Sequence, residues 1–237
     1  MADYKIIVTD VTCYGSLYCV AGWDRNTHRM IRPEPPGAST ANEASRFWDV
    51  RFVGPGKLFD LGCIAEFYAA DPLPDFPFPH ATEDRIVDMT RPRRSVERLD
   101  MPQIVQAVAA GVSPTLEDAF DGGLVRVAGS RKPYVQVGHV GRSLGAIELA
   151  PRQIAFQENT FDPSKRKLRA NLSVGGLRYD LSVTAEAVRA RWLAGGLSAL
   201  RADVEASKRI HLRVGLSRPF RDKPDQCFLQ VNGVYFL

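Results

Sequence analysis

Leu168, Ala170, Leu172 and Val174 alternate with Lys167, Arg169, Asn171 and Ser173. The chain then meets Gly175-Gly176, after which Leu177, Tyr179, Leu181 and Val183 alternate with Arg178, Asp180 and Ser182. A period of two on both arms, with a dipeptide between them that tolerates positive φ, predicts a β-hairpin. A two-residue turn sets Val174 opposite Leu177, Leu172 opposite Tyr179, Ala170 opposite Leu181 and Leu168 opposite Val183, so apolar meets apolar at every step. Every remaining side chain of the two arms is then charged or polar, and Lys165 and Arg166 add to the basic character just before them. A sheet with one apolar and one basic, polar face suits a protein that binds polyanions better than one that buries both sheet faces under helices.

The rest of the chain reads as short strands. Residues 4–10, 18–23 and 30–33 predict an antiparallel meander that Pro33, Pro35 and Pro36 stop. Residues 37–57 read as loop, 57–68 as a strand entered through a bend at Gly62, and the proline-rich stretch 71–79 as irregular extended chain. Residues 90–99 and 101–110 are expected to form a helical connector, and Ser113-Pro114 to cap a short helix over 116–120. Val135 and Val137 suggest a strand, and extended pieces flank Pro151. Thr184 is positioned to cap a helix that Gly195 or Gly196 ends, before alternating strands over 208–217 and 226–236.

With 16 prolines and 19 glycines among 237 residues, long helical periodicity is scarce and the expected class is β-rich, all-β or α+β. The second half runs strands, hairpin, one helix, two strands, an order compatible with the small OB-fold barrel. The expected organisation is an N-terminal OB-like barrel over 1–88, a helical and loop connector over 89–143 and a C-terminal OB-like barrel over 144–237. A formal charge of +4 permits nucleic acid without demanding it. No apolar run approaches the ~20 residues of a membrane span and the start carries no signal-like apolar stretch, so a soluble, cytoplasmic protein is expected, with no membrane partner. Cys13, Cys19, Cys63 and Cys227 form no Cys-x-x-Cys pair, which predicts reduced thiols and no zinc site. No cofactor is expected.

Several segments resemble a known family. Tyr18-Cys-Val-Ala-Gly followed by Met30-Ile-Arg-Pro, then Ala81-Thr-Glu-Asp-Arg-Ile-Val-Asp, Tyr179-Asp-Leu-Ser-Val-Thr, His211-Leu-Arg-Val-Gly-Leu-Ser-Arg-Pro-Phe and Cys227-Phe-Leu-Gln-Val-Asn-Gly-Val-Tyr are similar in order and spacing to a bacterial family described as the dual OB-containing domain. The resemblance implies two OB-like barrels in one chain and a role in recognising nucleic acid or nucleotides. It brings no established activity.

Three motifs touch on catalysis. Gly141-Arg-Ser-Leu-Gly145 has the Gly-x-Ser-x-Gly form of a hydrolase elbow, for which His211 and Asp180 would have to complete a triad, yet the residues after it read as extended rather than helical. Gly54-Pro-Gly-Lys57 has Leu58 where a phosphate loop needs a hydroxyl. His80, Glu83 and Asp84 could form an acid/base or metal cluster, against the plainer expectation of a solvated polar loop. Basic residues are the functional signal that recurs, in Arg91, Arg93, Arg94 and Arg98, in Arg131 and Lys132, and in the hairpin. The expected reading is a recognition module rather than an enzyme, binding DNA or RNA through Lys165, Lys167, Arg169, Arg178, Arg213, Arg131 and Lys132. A scaffold subunit for a nucleotide-like ligand or a protein partner is the alternative. Phe156, Phe161, Phe220 and Phe228 are candidates for stacking on bases if loops bring them near the hairpin.

Overall fold

The computed structural model describes residues 1–159 and 166–237. Its contacts divide the chain into two compact units, Met1–Gly111 and Val112–Leu237.

In the first unit β1 (Ala2–Tyr14), β2 (Leu17–Asp24), β3 (Arg29–Glu34), β4 (Cys63–Ala70) and β5 (Asp84–Arg98) close into a barrel in the order β1-β2-β3-β5-β4. β3 and β5 run parallel, and the other neighbours are antiparallel. Ile6, Val8, Val20, Ile31, Ala65, Phe67 and Val87 fill the interior. The loop between β3 and β4 supplies Trp48, Val53 and Phe59 to the same core, and Trp48 donates its indole N–H to Pro33 O at 2.9 Å. Gly62 makes the expected bend with φ +82, where an added Cβ would collide with Leu99 O.

Residues 90–98 correct the expected helix. They form the outer half of β5, where Glu66 pairs with Arg93 and Cys63 with Arg98. Pro92 cannot donate a helical hydrogen bond, and the register shift between these pairs and Tyr68↔Asp88 takes up the residues around it. Helix α1 (Met101–Ala107) follows as expected, with Asp100 Oδ1 accepting from Gln103 N and Gln103 Oε1 from Asp100 N, both at 2.9 Å.

The second unit opens with α2 (Leu116–Ala119), capped by Thr115 Oγ1 rather than by Ser113, and the short strands β6 (Leu124–Val125) and β7 (Tyr134–Gln136). Its main sheet holds β8 (Leu144–Leu149), β9 (Ile154–Asn159), β10 (Lys167–Val174), β11 (Leu177–Val183), β12 (Ile210–Leu216) and β13 (Gln226–Phe236). Neighbours run β9-β10-β11-β13-β12-β8, and β9 and β8 are consecutive, separated by the turn Pro151–Gln153. Counted as one interrupted strand, β8 and β9 repeat the order of the first barrel, 1-2-3-5-4, again with the third and fifth strands, β11 and β13, parallel.

Helix α3 (Glu186–Ala206) lies between the third and fourth strands of that order and buries Val188, Trp192 and Leu200 against β9 and β13. It extends beyond the expected stop. Gly196 turns the chain with φ 67, but Leu200 and Val204 recur at helical spacing and pack on the core, so a second helical stretch follows the turn. Thr184 does not cap it, because its hydroxyl donates to Val231 O at 3.1 Å. No helix among the described residues is long and apolar enough to cross a membrane.

Candidate nucleic-acid interface

The hairpin forms in the expected register. Gly175 and Gly176 have φ of 56 and 76, a pair of positive angles that matches the right-handed twist of the flanking strands. Val174 lies opposite Leu177, Leu172 opposite Tyr179 and Ala170 opposite Leu181. Leu168, Ala170, Leu172, Tyr179, Leu181 and Val183 are buried in the core of the unit, which leaves the other face of β10 and β11 outermost.

On that face lies a hollow of about 250 Å³ lined by Arg131, Gln157, Asn171, Ser173, Arg178 and Asp180. β9 supplies Gln157, the hairpin supplies four residues, and a loop supplies Arg131. Where β11 and β13 part, residues 131–133 run between them, with Asp180 N donating to Arg131 O at 2.8 Å and Leu229 N to Pro133 O at 3.0 Å. Two cations that are 47 positions apart thereby share one depression.

The polar groups of this hollow differ in how far the protein itself satisfies them. Arg169, on the same face of β10, is engaged by the protein itself, donating to Asp180 Oδ1 at 2.6 Å, to Ser182 Oγ at 2.8 Å and to Asp180 O at 2.6 Å. Among the described residues, the side chains of Arg131, Arg178, Gln157, Asn171 and Ser173 have no hydrogen-bond or ion-pair partner, whereas the Asp180 carboxylate is paired with Arg169. A depression with two unneutralised guanidinium groups, two free amides and a hydroxyl is equipped to take an anionic group at the cations and hydrogen-bonding edges at the amides.

The remaining expected residues fall into three groups. Lys167 and Lys132 are exposed and carry no ion pair among the described residues, Lys167 at the start of β10 and Lys132 beside Arg131. Lys165 lies outside the described residues. Arg213 is corrected: it stands on β12 with 1% of its surface exposed, so its guanidinium belongs to the interior and cannot meet a ligand at the hairpin. Gln157 escapes a reading of the sequence, because an extended piece beyond Pro151 carries nothing to place one of its amides beside the hairpin.

In the first unit, Arg94 and Arg98 approach Asp60 at 3.8 and 3.6 Å, while Arg91 and Arg93 are exposed without ion pairs among the described residues. His80, Glu83 and Asp84 correct the expectation of a solvated loop, since all three are buried. Asp84 bridges Arg32 at 2.7 Å and Arg46 at 2.5 Å, and Arg46 also forks onto Glu34 at 2.8 and 2.9 Å while lying 4.0 Å over the Phe76 ring. Burial opposes the charge of Arg32, but Asp84, by charge and hydrogen bond, together with Cys19 and Glu83, outweighs it and holds the guanidinium above its ordinary pKa. Each cation here is matched by a carboxylate, which makes the cluster an internal clamp between β3, β5 and the intervening loop.

Ser143 is buried just before β8, where its carbonyl accepts from Leu216 N at 3.0 Å. His211 pairs in register with Glu148, five positions along β12 from Leu216, about 16 Å away. Its Nδ1 meets Glu148 Oε1 at 2.9 Å, while Asp180 is engaged with Arg169 on the hairpin, so no Ser-His-Asp triad assembles. None of the four cysteines is in a disulfide, and no group of three His, Cys, Asp or Glu among the described residues is arranged to hold a metal ion.

Two sheets of the order 1-2-3-5-4, each with its third and fifth strands parallel, define a tandem OB-fold protein whose exposed polar site lies on the second and third strands of the second fold. The family described as the dual OB-containing domain matches residues 4–234, and the chain belongs to it. No curated protein sequence matches the chain.

Proposed function

We propose that this protein is a recognition module that binds nucleic acid through the outer face of β10 and β11, with Arg131 and Arg178 on phosphates and Asn171, Gln157 and Ser173 on base or sugar edges. The observation that carries the reading is the convergence of two unneutralised arginines and three unpartnered polar side chains in one hollow. OB-folds bind oligonucleotides and oligosaccharides on the face of strands two and three, and cations with no internal counter-charge favour the polyanion of the two. Lys132 and Lys167 extend the positive surface beyond the hollow, as a strand of phosphates requires and a single small ligand does not.

Fluorescence anisotropy with single-stranded DNA and RNA oligonucleotides tests the reading, using wild type and an Arg131→Ala, Arg178→Ala double variant. Salt-sensitive binding that the double variant loses supports it. Absence of salt-sensitive binding to either polymer removes it, and a thermal shift with mononucleotides alone would move the assignment to a nucleotide-binding scaffold.

A further inference from the structure

Outside the hollow, the same unit holds an aromatic cluster that the core does not use. Phe220, in the β12–β13 loop, is 49% exposed, and its ring centroid lies 6.1 Å from that of Phe228 at an interplanar angle of 37°. Phe228 in turn lies 5.9 Å from Tyr134. Phe228 and Tyr134 point away from the core of the unit, because their strand neighbours Leu229 and Val135 are core residues and successive side chains on a strand take opposite faces. Phe220 therefore presents a ring to solvent, backed by two further aromatic side chains.

The cluster and the hollow are joined by one stretch of backbone. Residues 131–133 carry Arg131 into the hollow and lead directly into Tyr134, which pairs with Phe228. Three residues of extended chain span about 10 Å, so the rings begin within a few nucleotides' reach of the hollow along one outer surface. Arg221 and Lys223 follow Phe220 in the loop, exposed and without ion pairs among the described residues, while Asp222 and Asp225 keep the loop from being uniformly basic. A wholly apolar partner would leave these charges unmet; a nucleobase with its attached phosphate matches both the ring face and the cations.

We infer that Phe220, with Phe228 and Tyr134 behind it, is a base-stacking platform that continues the hairpin site and selects single-stranded over duplex nucleic acid. Paired and stacked bases in a duplex offer no free face to Phe220, whereas an unpaired base does. This inference rests on the nucleic-acid reading of the hollow and adds a second subsite to it.

The test measures binding of a labelled oligothymidylate, its RNA counterpart and a mixed-sequence duplex to wild type, Phe220→Ala, Phe220→Trp and the Arg131→Ala, Arg178→Ala variant. Stacking predicts that Phe220→Ala weakens single-strand binding by roughly 5- to 150-fold while leaving duplex binding unchanged, that Phe220→Trp retains it, and that the new indole is quenched as the oligonucleotide binds. Because Phe220 is half exposed, its truncation leaves the fold intact, and a circular dichroism spectrum matching wild type verifies this. Single-strand affinity in Phe220→Ala equal to wild type overturns the platform while the arginine variant still reports on the hollow. If wild type binds neither polymer, both readings fall together.

Discussion

The amide of Asp180 donates to the carbonyl of Arg131 at 2.8 Å, and this one backbone bond places a loop cation at the mouth of a hairpin it precedes by more than 30 residues. The Asp180 side chain meanwhile neutralises Arg169, so the same residue docks one arginine by its backbone and silences another by its carboxylate.

Removing that carboxylate should therefore raise affinity and lower stability together. In Asp180→Asn, Arg169 loses a charge-assisted bond in a mostly buried setting, a cost of about 1–3 kcal/mol in chemical denaturation. The net charge of the hollow rises by one, and anisotropy titrations should show tighter, more salt-dependent binding of single strands.

The clamp in the first barrel predicts a loss confined to stability. Asp84→Asn removes the carboxylate that bridges the buried Arg32 and Arg46, and truncating one member of a buried ionic group costs about 3–5 kcal/mol. Urea denaturation of Asp84→Asn against wild type measures it, and a loss under about 1 kcal/mol would contradict the clamp.

His211 makes stability fall with acid. Burial, reinforced by Arg213 and Arg209 nearby, pushes its pKa down to about 3, so the unfolded chain binds a proton at this site from about pH 6.5 downward while the folded one does not. The contribution is complete above pH 6.5 and is lost as the pH falls towards 3. Glu148 has the opposite sign: burial raises its pKa above the ordinary value despite Arg209, so what it contributes is present at low pH and is lost as the pH rises. The shift on His211 is the larger, so the net slope follows it. His211→Phe keeps a ring against Tyr235, with which the imidazole stacks at 5.7 Å, and should flatten the decline in unfolding free energy between about pH 6.5 and 4.

At the hairpin turn, side-chain tolerance should follow backbone angle. With φ 56, Gly175→Asn is accepted at little cost, whereas Gly175→Val is destabilising by about 1–2 kcal/mol and loosens the register that exposes Arg178. Amide hydrogen exchange in β10 and β11 reports the difference.

The two ends of the chain's legibility are the hairpin and β5. Alternation names partners across a two-residue turn, so Leu172 opposite Tyr179 can be read from residues alone. In 90–98 four arginines and Pro92 interrupt any period, and it is pairing with β4, distant in sequence, that makes the segment a strand. Arg213 shows a different limit: alternation with Leu212 and Val214 says which residues share a face, not whether that face meets water, and both His211 and Arg213 on the polar side of β12 are buried. The hollow itself is half legible. Asn171, Ser173 and Arg178 share a face by parity, but the arrival of Arg131 depends on hydrogen bonds to strands far along the chain, and that of Gln157 on the pairing of β9 with β10 beyond the break at Pro151.

Phosphate binding at the hollow is tested most directly by the salt dependence of single-strand binding in wild type and in Arg131→Ala, Arg178→Ala. If Arg131 and Arg178 neutralise phosphates, log K falls linearly with log salt in wild type, and the double variant binds weakly with a slope shallower by about 1–2, one released counterion or fewer for each phosphate that is no longer neutralised. A double variant with the affinity and the slope of wild type would contradict it.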